Sequence, residues 1–260
     1  MTEYEATTES ERSPRPSLGD RIRLAASFLT IIPVLDQRPR SAEEVAASFG
    51  WFPLIGFAIG AMLCAEDYVL SAIAGGAARA IVIVMTLVVL TGAVHLDGLG
   101  DTADALGAGR DRDRALTIMR DSRIGAFGAI AIFFALIIKL SVIANLTGVQ
   151  RYTALFLAPG LARWAMVAVA QRMVYLRAVG AGTALLQEEN DAALRAASAI
   201  AIAGIAIAHS IVAVRGALIA IVIVIALRTV YRRWLGGVTG DLIGAAGEIV
   251  ETAIMVAIAS

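Results

Sequence analysis

The sequence predicts an all-α, polytopic integral membrane helix bundle of about seven transmembrane helices, with a short N-terminal interfacial or re-entrant helix. Three observations predict it. Hydrophobic residues make up 58% of the 260-residue chain and charged residues only 17%, against roughly 45–50% and about 25% in soluble domains. The mean hydropathy is +0.77. The charges also cluster, leaving apolar runs near the ~20 residues that a bilayer-spanning helix needs.

In chain order, residues 1–17 are polar and contain Pro14 and Pro16; they are expected to form a disordered tail. They lack the positive start and apolar middle of a secretory signal. The remainder, 18–260, is expected to be one integral-membrane domain that carries the chemistry. Leu18 to Val34 is amphipathic, too short and too charged to span, and suits an interfacial or re-entrant helix.

Apolar runs near 50–74, 79–95, 124–147, 153–174, 197–214, 216–234 and 242–259 are the seven expected spans. In the first, Glu66 and Asp67 beside Tyr68 mark a short span ending at the outer interface, Tyr68 being an anchor. The third carries Lys139, the one lysine of the chain, which is expected to partner an intramembrane acid, and the fourth carries Arg163, the other buried cation. The fifth is almost only Ala, Ile and Val, and His209 in this apolar run reads as a helix-packing or interfacial residue. The connecting segments alternate between two sides. Seventeen arginines fall on one side and only Arg79, Arg151 and Arg215 on the other. Because basic residues favour the cytoplasmic side, the N-terminus is expected inside and the C-terminus outside.

Equal numbers of acids and bases and a sequence pI near 6.7 argue against a nucleic-acid partner, which calls for a basic face. A single cysteine excludes an internal disulfide and any paired-cysteine motif.

The chemistry concentrates after the second span, in His95-Leu96-Asp97-Gly98-Leu99-Gly100-Asp101-Thr102-Ala103-Asp104. Aspartates at i, i+4 and i+7 share one helical face. They repel one another unless a cation joins them, and Mg²⁺ takes carboxylate oxygens while keeping waters and bridging substrate phosphates. The bland alternative is a solvated acidic helix end paired with the arginines that follow. His95 fits either a supporting partner or a proton acceptor. Arg110 to Arg114 alternates Arg and Asp and reads as a self-paired surface. Next come Arg120, Asp121, Ser122 and Arg123: Asp121 adds a metal oxygen, Arg120 and Arg123 suit phosphate, and Ser122 suits a cap on the next helix. Carboxylates, arginines and a helix N-terminus together point to phosphoryl chemistry. Further on, Asp241, Glu248 and Glu251 share a face of the last span, serving either function or a structural pairing with Arg163 or Lys139. Acids inside a span normally face a cavity or a partner.

Three blocks, HLDGLGDTADALG, RDSRIGAFG and GGVTGDLIGAAGEIVE, with SFLTIIPV at 27–34 and WFPLIGFAIG at 51–60, resemble the bacterial cobalamin synthase family, the adenosylcobinamide-GDP ribazoletransferases. The resemblance covers most of the chain after the tail. It implies a polytopic, Mg²⁺-dependent enzyme of the bacterial inner membrane, a phosphotransferase for substituted phosphate groups with its active site in the cytoplasm. Such an enzyme joins adenosylcobinamide-GDP to α-ribazole or its 5′-phosphate, releasing GMP. Association with other cobalamin-assembly enzymes is a further implied partnership. The implied metal set is Asp97, Asp101, Asp104 and Asp121. The implied catalytic set is Asp97, Asp101, Asp104, Arg123 and Asp241. Arg120, Ser122, Arg163, Thr239, Glu248 and Glu251 are then expected at the substrates. The chain departs from the family pattern at Ile31, where an arginine is usual, and at Gly100, where alanine is common.

Two other readings compete. A CDP-alcohol phosphotransferase also spaces aspartates from an Asp-Gly start, but it continues with Ala-Arg, which is absent here. An ion-coupled transporter would use Lys139, Glu66, Asp67, Glu248 and Glu251 as a midplane relay; the strongest acidic cluster, however, lies at a membrane boundary.

Overall fold

The computed structural model describes residues 17–34, 40–177 and 191–260; most of the expected tail therefore lies outside the described residues. These form helices α1 (Leu18–Leu29), α2 (Ala42–Phe49), α3 (Phe52–Leu70), α4 (Gly76–Leu90), α5 (Val94–Leu106), α6 (Arg112–Ile118), α7 (Ala126–Asn145), α8 (Gly148–Ala170), α9 (Asp191–Ala208), α10 (Ile211–Trp234) and α11 (Gly240–Ala259). Among the described residues the only sheet-like pairing is one parallel bridge between Tyr175 and Val238. Among the described residues six helices are long and apolar enough to cross a membrane, and α4 with α5, taken together as one broken span, brings the number to seven. The chain is a polytopic helical membrane protein.

α8 is the centre of the bundle, with 89% of its apolar window buried, and α11 lies beside it at 72%. In α7, α9 and α10 only 22% is buried; Phe133, Ile137, Ile202, Val222 and Ile225 point outward, as lipid-facing side chains do. α3 meets α8 backbone to backbone. A Cβ at Gly56 would lie 2.4 Å from the carbonyl oxygen of Pro159, and one at Gly60 would lie 2.6 Å from that of Phe156. This is the small-residue contact that lets membrane helices pack without a hydrophobic driving force.

Arginines finish several helices. Helix C-termini leave carbonyls without intrahelical partners, and in lipid these must be satisfied by protein. Arg228 donates to the carbonyls of Ala168, Val169 and Gln171 at the end of α8. Arg112 donates to Leu235 at the end of α10 at 2.7 Å, so the expected self-pairing of 110–114 is only partial. Arg151 reaches the carbonyls of Ile143 and Leu146 at the end of α7 and pairs with buried Asp67 at 2.6 Å.

Three expectations about the spans are corrected. The second span is not straight. α4 stops at Leu90, Gly92 and Ala93 both adopt left-handed backbone (φ 60° and 56°), and α5 leaves at 85° to α4. The N-terminal segment holds this bend, for the Ile31 N–H donates to the Leu90 carbonyl at 2.9 Å. The first span does not end at Glu66 and Asp67, because α3 runs on to Leu70. Asp67 turns inward to Arg151, and Glu66 accepts from the Thr86 hydroxyl at 2.7 Å. His209 is not inside a span. It sits exposed at the turn between α9 and α10 with φ 41°.

Candidate active site

α5 carries all three aspartates of the first motif. At 100° per residue they lie within about 60° of one another, but at 1.5 Å of rise per residue the first and third are about 10 Å apart along the axis. They serve different neighbours. Asp104 accepts from the backbone N–H groups of Gly125 at 2.7 Å and Gly128 at 2.8 Å, one oxygen to each. α7 begins at an N-cap glycine, Gly125, which has no capping side chain, and Asp104 supplies the missing acceptor at the positive helix end. Asp104, expected among the metal ligands and catalytic acids, is thus placed as a cap on α7. Ser122, expected to provide that cap, stays exposed at a cavity rim instead.

Asp97 and Asp101 face that cavity. It is open and polar, holds about 470 Å³, and is otherwise lined by Met119, Arg120, Asp121, Ser122, Arg177 and Asp241. Asp241 arrives by a specific turn. Gly236 takes a left-handed conformation (φ 78°), and Val238 then pairs with the segment after α8. Its N–H donates to the Val174 carbonyl at 2.8 Å, and its carbonyl accepts from the Leu176 N–H at 2.9 Å. Buried Thr239 caps α11, its hydroxyl accepting from the Leu242 N–H at 3.3 Å, and Asp241 falls in the first turn. α5 passes this turn so closely that a Cβ at Gly98 would lie 2.8 Å from the Asp241 carbonyl oxygen. The glycine sets the distance between the aspartates of α5 and that of α11.

The Val238 pairing delivers a residue that the sequence reading did not single out. Arg177 donates to Asp241 Oδ2 at 2.5 Å and to the Met119 carbonyl at 3.2 Å, tying three separate segments together at the cavity. Nothing in the local sequence signals this, because the partner strand lies more than sixty residues away.

The loop before α7 behaves differently from expectation. Arg123 donates from Nη2 to Asp121 Oδ2 at 2.7 Å and from Nε to Oδ1 at 3.0 Å, and its backbone N–H adds a third contact at 3.1 Å. These hydrogen bonds hold the Asp121 carboxyl well below the usual range, at about 2. Arg123, expected to clamp phosphate, is turned onto Asp121 and does not line the cavity; exposed Arg120 does.

The deeper acids form another unit. Lys139 donates to Glu248 and, at 2.6 Å, to Glu251; Arg163 donates to Glu251. His95 Nδ1 lies 3.5 Å from Arg163 Nη2. All five side chains are buried. Arg163, Glu248 and Glu251, expected at the substrates, are therefore committed to a balanced cluster, and none lines the polar cavity.

Among the described residues no three metal-ligating side chains converge ready-made on one point. The donor set at the cavity still fits a hard cation. Asp97, Asp101, Asp121 and Asp241 offer only oxygen, and Mg²⁺ commonly uses one or two carboxylates with waters and substrate phosphates rather than a closed protein cage. A second, largely apolar cavity of about 260 Å³ shares Asp97 and Asp241 with the first.

A family model described as "Cobalamin-5-phosphate synthase" matches residues 21–259. Relatives named adenosylcobinamide-GDP ribazoletransferase include one from Desulforamulus reducens, 39% identical over 89% of this chain and 92% of its own length. Another from Syntrophobacter fumaroxidans is 37% identical over 90% and 96%, and one from Roseiflexus sp. is 39% identical over 94% and 91%. No solved structure matches. The family match takes in every residue that borders the polar cavity, and with relatives similar over nearly their full lengths the chain belongs to the cobalamin-5-phosphate synthase family.

Proposed function

We propose that the acidic cavity is where this transferase of cobalamin synthesis joins adenosylcobinamide-GDP to α-ribazole or its 5′-phosphate, giving adenosylcobalamin or its 5′-phosphate and GMP. One observation carries this reading: carboxylates from α5, from the loop before α7 and from α11 meet Arg120 and Arg177 around a single open cavity. The family match leaves the CDP-alcohol phosphotransferase and transporter readings without support.

Asp97 and Asp101, on successive turns of α5, are the residues that would hold Mg²⁺. When bound there the metal supplies Lewis-acid polarisation of a phosphoryl oxygen. Arg120 at the rim holds pyrophosphate oxygens through its forked donors. A ribose hydroxyl of the ribazole attacks the phosphorus attached to the corrinoid. A new P–O bond forms as the bond to GMP breaks, and the hydroxyl proton passes to Asp241. Arg177 and Thr239 engage Asp241 through Oδ2, which orients the carboxylate and leaves Oδ1 to accept the proton.

The arginine distribution supports placing this cavity on the cytoplasmic side of the bacterial inner membrane. Its lining comes from α5, from the loop before α7, from the segment after α8 and from the first turn of α11, and the two connecting segments among these lie on the arginine-rich side. The test is GMP release by the purified chain in vesicles supplied with adenosylcobinamide-GDP, α-ribazole and Mg²⁺. Asp97→Asn and Asp101→Asn are expected to abolish release while leaving the protein folded; wild-type activity in either would overturn the assignment.

A further inference from the structure

The apolar cavity beside the acidic one has no role in the chemistry above. Phe28 from α1, Phe49 at the end of α2 and Phe52 at the start of α3 form a contiguous aromatic group, with ring centroids 6.0 Å apart for Phe28 and Phe49 and 4.5 Å apart for Phe49 and Phe52. Met166, Tyr175 and Ile243 extend the walls, and buried His95 stands among them with Gly240 and Gly244. Asp97 and Asp241 stand where this cavity and the polar one adjoin. A ligand seated among the rings therefore presents its polar end to the two aspartates.

We propose that this pocket receives the flat base of the acceptor, the dimethylbenzimidazole of ribazole, and so selects the nucleophile and aims its ribose at Asp241. This deepens the functional reading above and rests on it. Size and polarity choose the occupant. At about 260 Å³ the pocket is smaller than the roughly 300–1,000 Å³ that encloses a whole drug-sized ligand. One bicyclic ring fits; a corrin macrocycle does not. Guanine in the GDP and adenine in the adenosyl group, the other bicycles among the substrates, carry amino groups and ring nitrogens, and guanine also a carbonyl, on their edges, which the largely apolar walls would leave unpaired. Dimethylbenzimidazole has an apolar edge and a ring face suited to stacking on phenylalanine. The position of the base relative to the reaction follows from the shared aspartates, because only a substrate attached at its ribose needs its apolar end beside the proton acceptor.

The walls contain two places where volume can be removed without moving the backbone. A Cβ at Gly244 would lie 3.4 Å from His95 Cα, and one at Gly240 would lie 3.7 Å from Tyr175 Oη; both are ordinary contacts. Gly244→Ala and Gly240→Ala therefore narrow the pocket in a folded chain. The experiment measures equilibrium binding of α-ribazole and, separately, of GDP to the full chain in lipid nanodiscs, alongside acceptor and donor KM from GMP release. Each variant is expected to weaken α-ribazole binding about tenfold, as overfilling a packed site does, and to raise the acceptor KM to match. GDP binding and the donor KM stay within twofold. The riboside of unsubstituted benzimidazole, lacking the two methyls, should be penalised less than α-ribazole.

Loss of GDP binding with α-ribazole binding intact would assign the pocket to guanine and overturn the proposal. Unchanged binding of both ligands in both variants would overturn it as well. Binding of α-ribazole that Gly244→Ala weakens, in a chain whose wild type releases no GMP, would support the pocket while refuting the reaction assigned to the neighbouring cavity, so the two readings fail separately.

Discussion

Gly98→Ala is expected to cost activity far beyond its cost in stability. The added Cβ would lie 2.8 Å from the Asp241 carbonyl oxygen and 3.1 Å from Asp241 Cα, whereas ordinary contact begins at 3.4 Å. The obstructing atoms are backbone, so no side-chain rotation relieves them. α5 and the start of α11 must separate by about 0.6 Å, the gap between 2.8 and 3.4 Å. Overfilling a packed site costs roughly 1–3 kcal/mol, and replacing glycine inside a helix returns about 1 kcal/mol; the net destabilisation is at most about 2 kcal/mol and the chain still folds. The catalytic effect is larger, since misplacing reacting groups by 1 Å can cost about 100-fold. A shift of this size between Asp97, Asp101 and Asp241 should lower kcat for GMP release by roughly 10- to 100-fold. Gly100→Ala is the control two residues away. The one tight contact of its Cβ would be the Cδ1 tip of Ile132, at 3.0 Å, which can rotate aside; Ile132 Cγ1 at 3.7 Å and Gly128 Cα at 3.9 Å are ordinary contacts. Kinetics and thermal unfolding of both variants in the same vesicles check the reasoning. Gly98→Ala with kcat within twofold of wild type, or an equal loss in Gly100→Ala, would refute it.

Other outcomes follow from the same geometry. Asp104→Asn should keep much of the activity and lose about 0.5–2 kcal/mol of stability, as loss of a helix cap does; thermal unfolding set against GMP release separates this from the metal-ligand role expected from spacing. Lys139→Met leaves Glu248 and Glu251 with only Arg163, and stranding a buried charge costs about 3–5 kcal/mol. The double variant Lys139→Met/Glu248→Leu restores the balance and should recover most of the loss in a denaturation measurement. Because Asp121 is held at about 2 by Arg123, its pairing is complete above the ordinary carboxylate value of 3.8 and is lost only as pH falls through about 2. Arg123→Ala should move the Asp121 midpoint up toward 3.8, readable by carboxyl NMR, while high salt loosens the wild-type pair.

The spans were legible because the bilayer constrains composition over ~20 residues, and averages over that length survive local irregularity. The break in the second span was not. Thr91, Gly92 and Ala93 lie in an apolar run, and the bend is fixed by Ile31, some sixty residues upstream, donating to Leu90. α2 was legible in principle. Ser41 and Glu44 form a reciprocal capping box, the S-x-x-E signature of a helix start, but the helix is eight residues long and its apolar face too short to stand out. Periodicity correctly put Asp97, Asp101 and Asp104 on one face of α5. It carried no information about what that face meets, and a helix face 10 Å long can meet two different partners. Arg177 marks the limit most clearly. It reads in sequence as one more arginine on the basic side, and only the Val238 pairing makes it a neighbour of Asp241.

The charges of the chain sum to zero, but where they balance locally separates scaffold from site. Along α11, Glu248 and Glu251 lie about 10 and 15 Å deeper than Asp241 at 1.5 Å per residue. At that depth an unpaired carboxylate is prohibitive, and Lys139 and Arg163 match the two acids one for one. A relay that moved ions through this point would have to break buried pairs at each step. At the cavity the balance differs. Arg123 matches Asp121 and Arg177 matches Asp241, but Asp97 and Asp101 have no ion-pair partner among the described residues. Two adjacent carboxylates on successive turns of α5 thus outnumber Arg120, the remaining arginine of the lining, and leave a net negative charge beside a cavity that must also admit a pyrophosphate. Anions would not enter such a place unaided. A divalent cation at Asp97 and Asp101 compensates both charges, and this supports Mg²⁺ there rather than at the deeper acids or at Asp104.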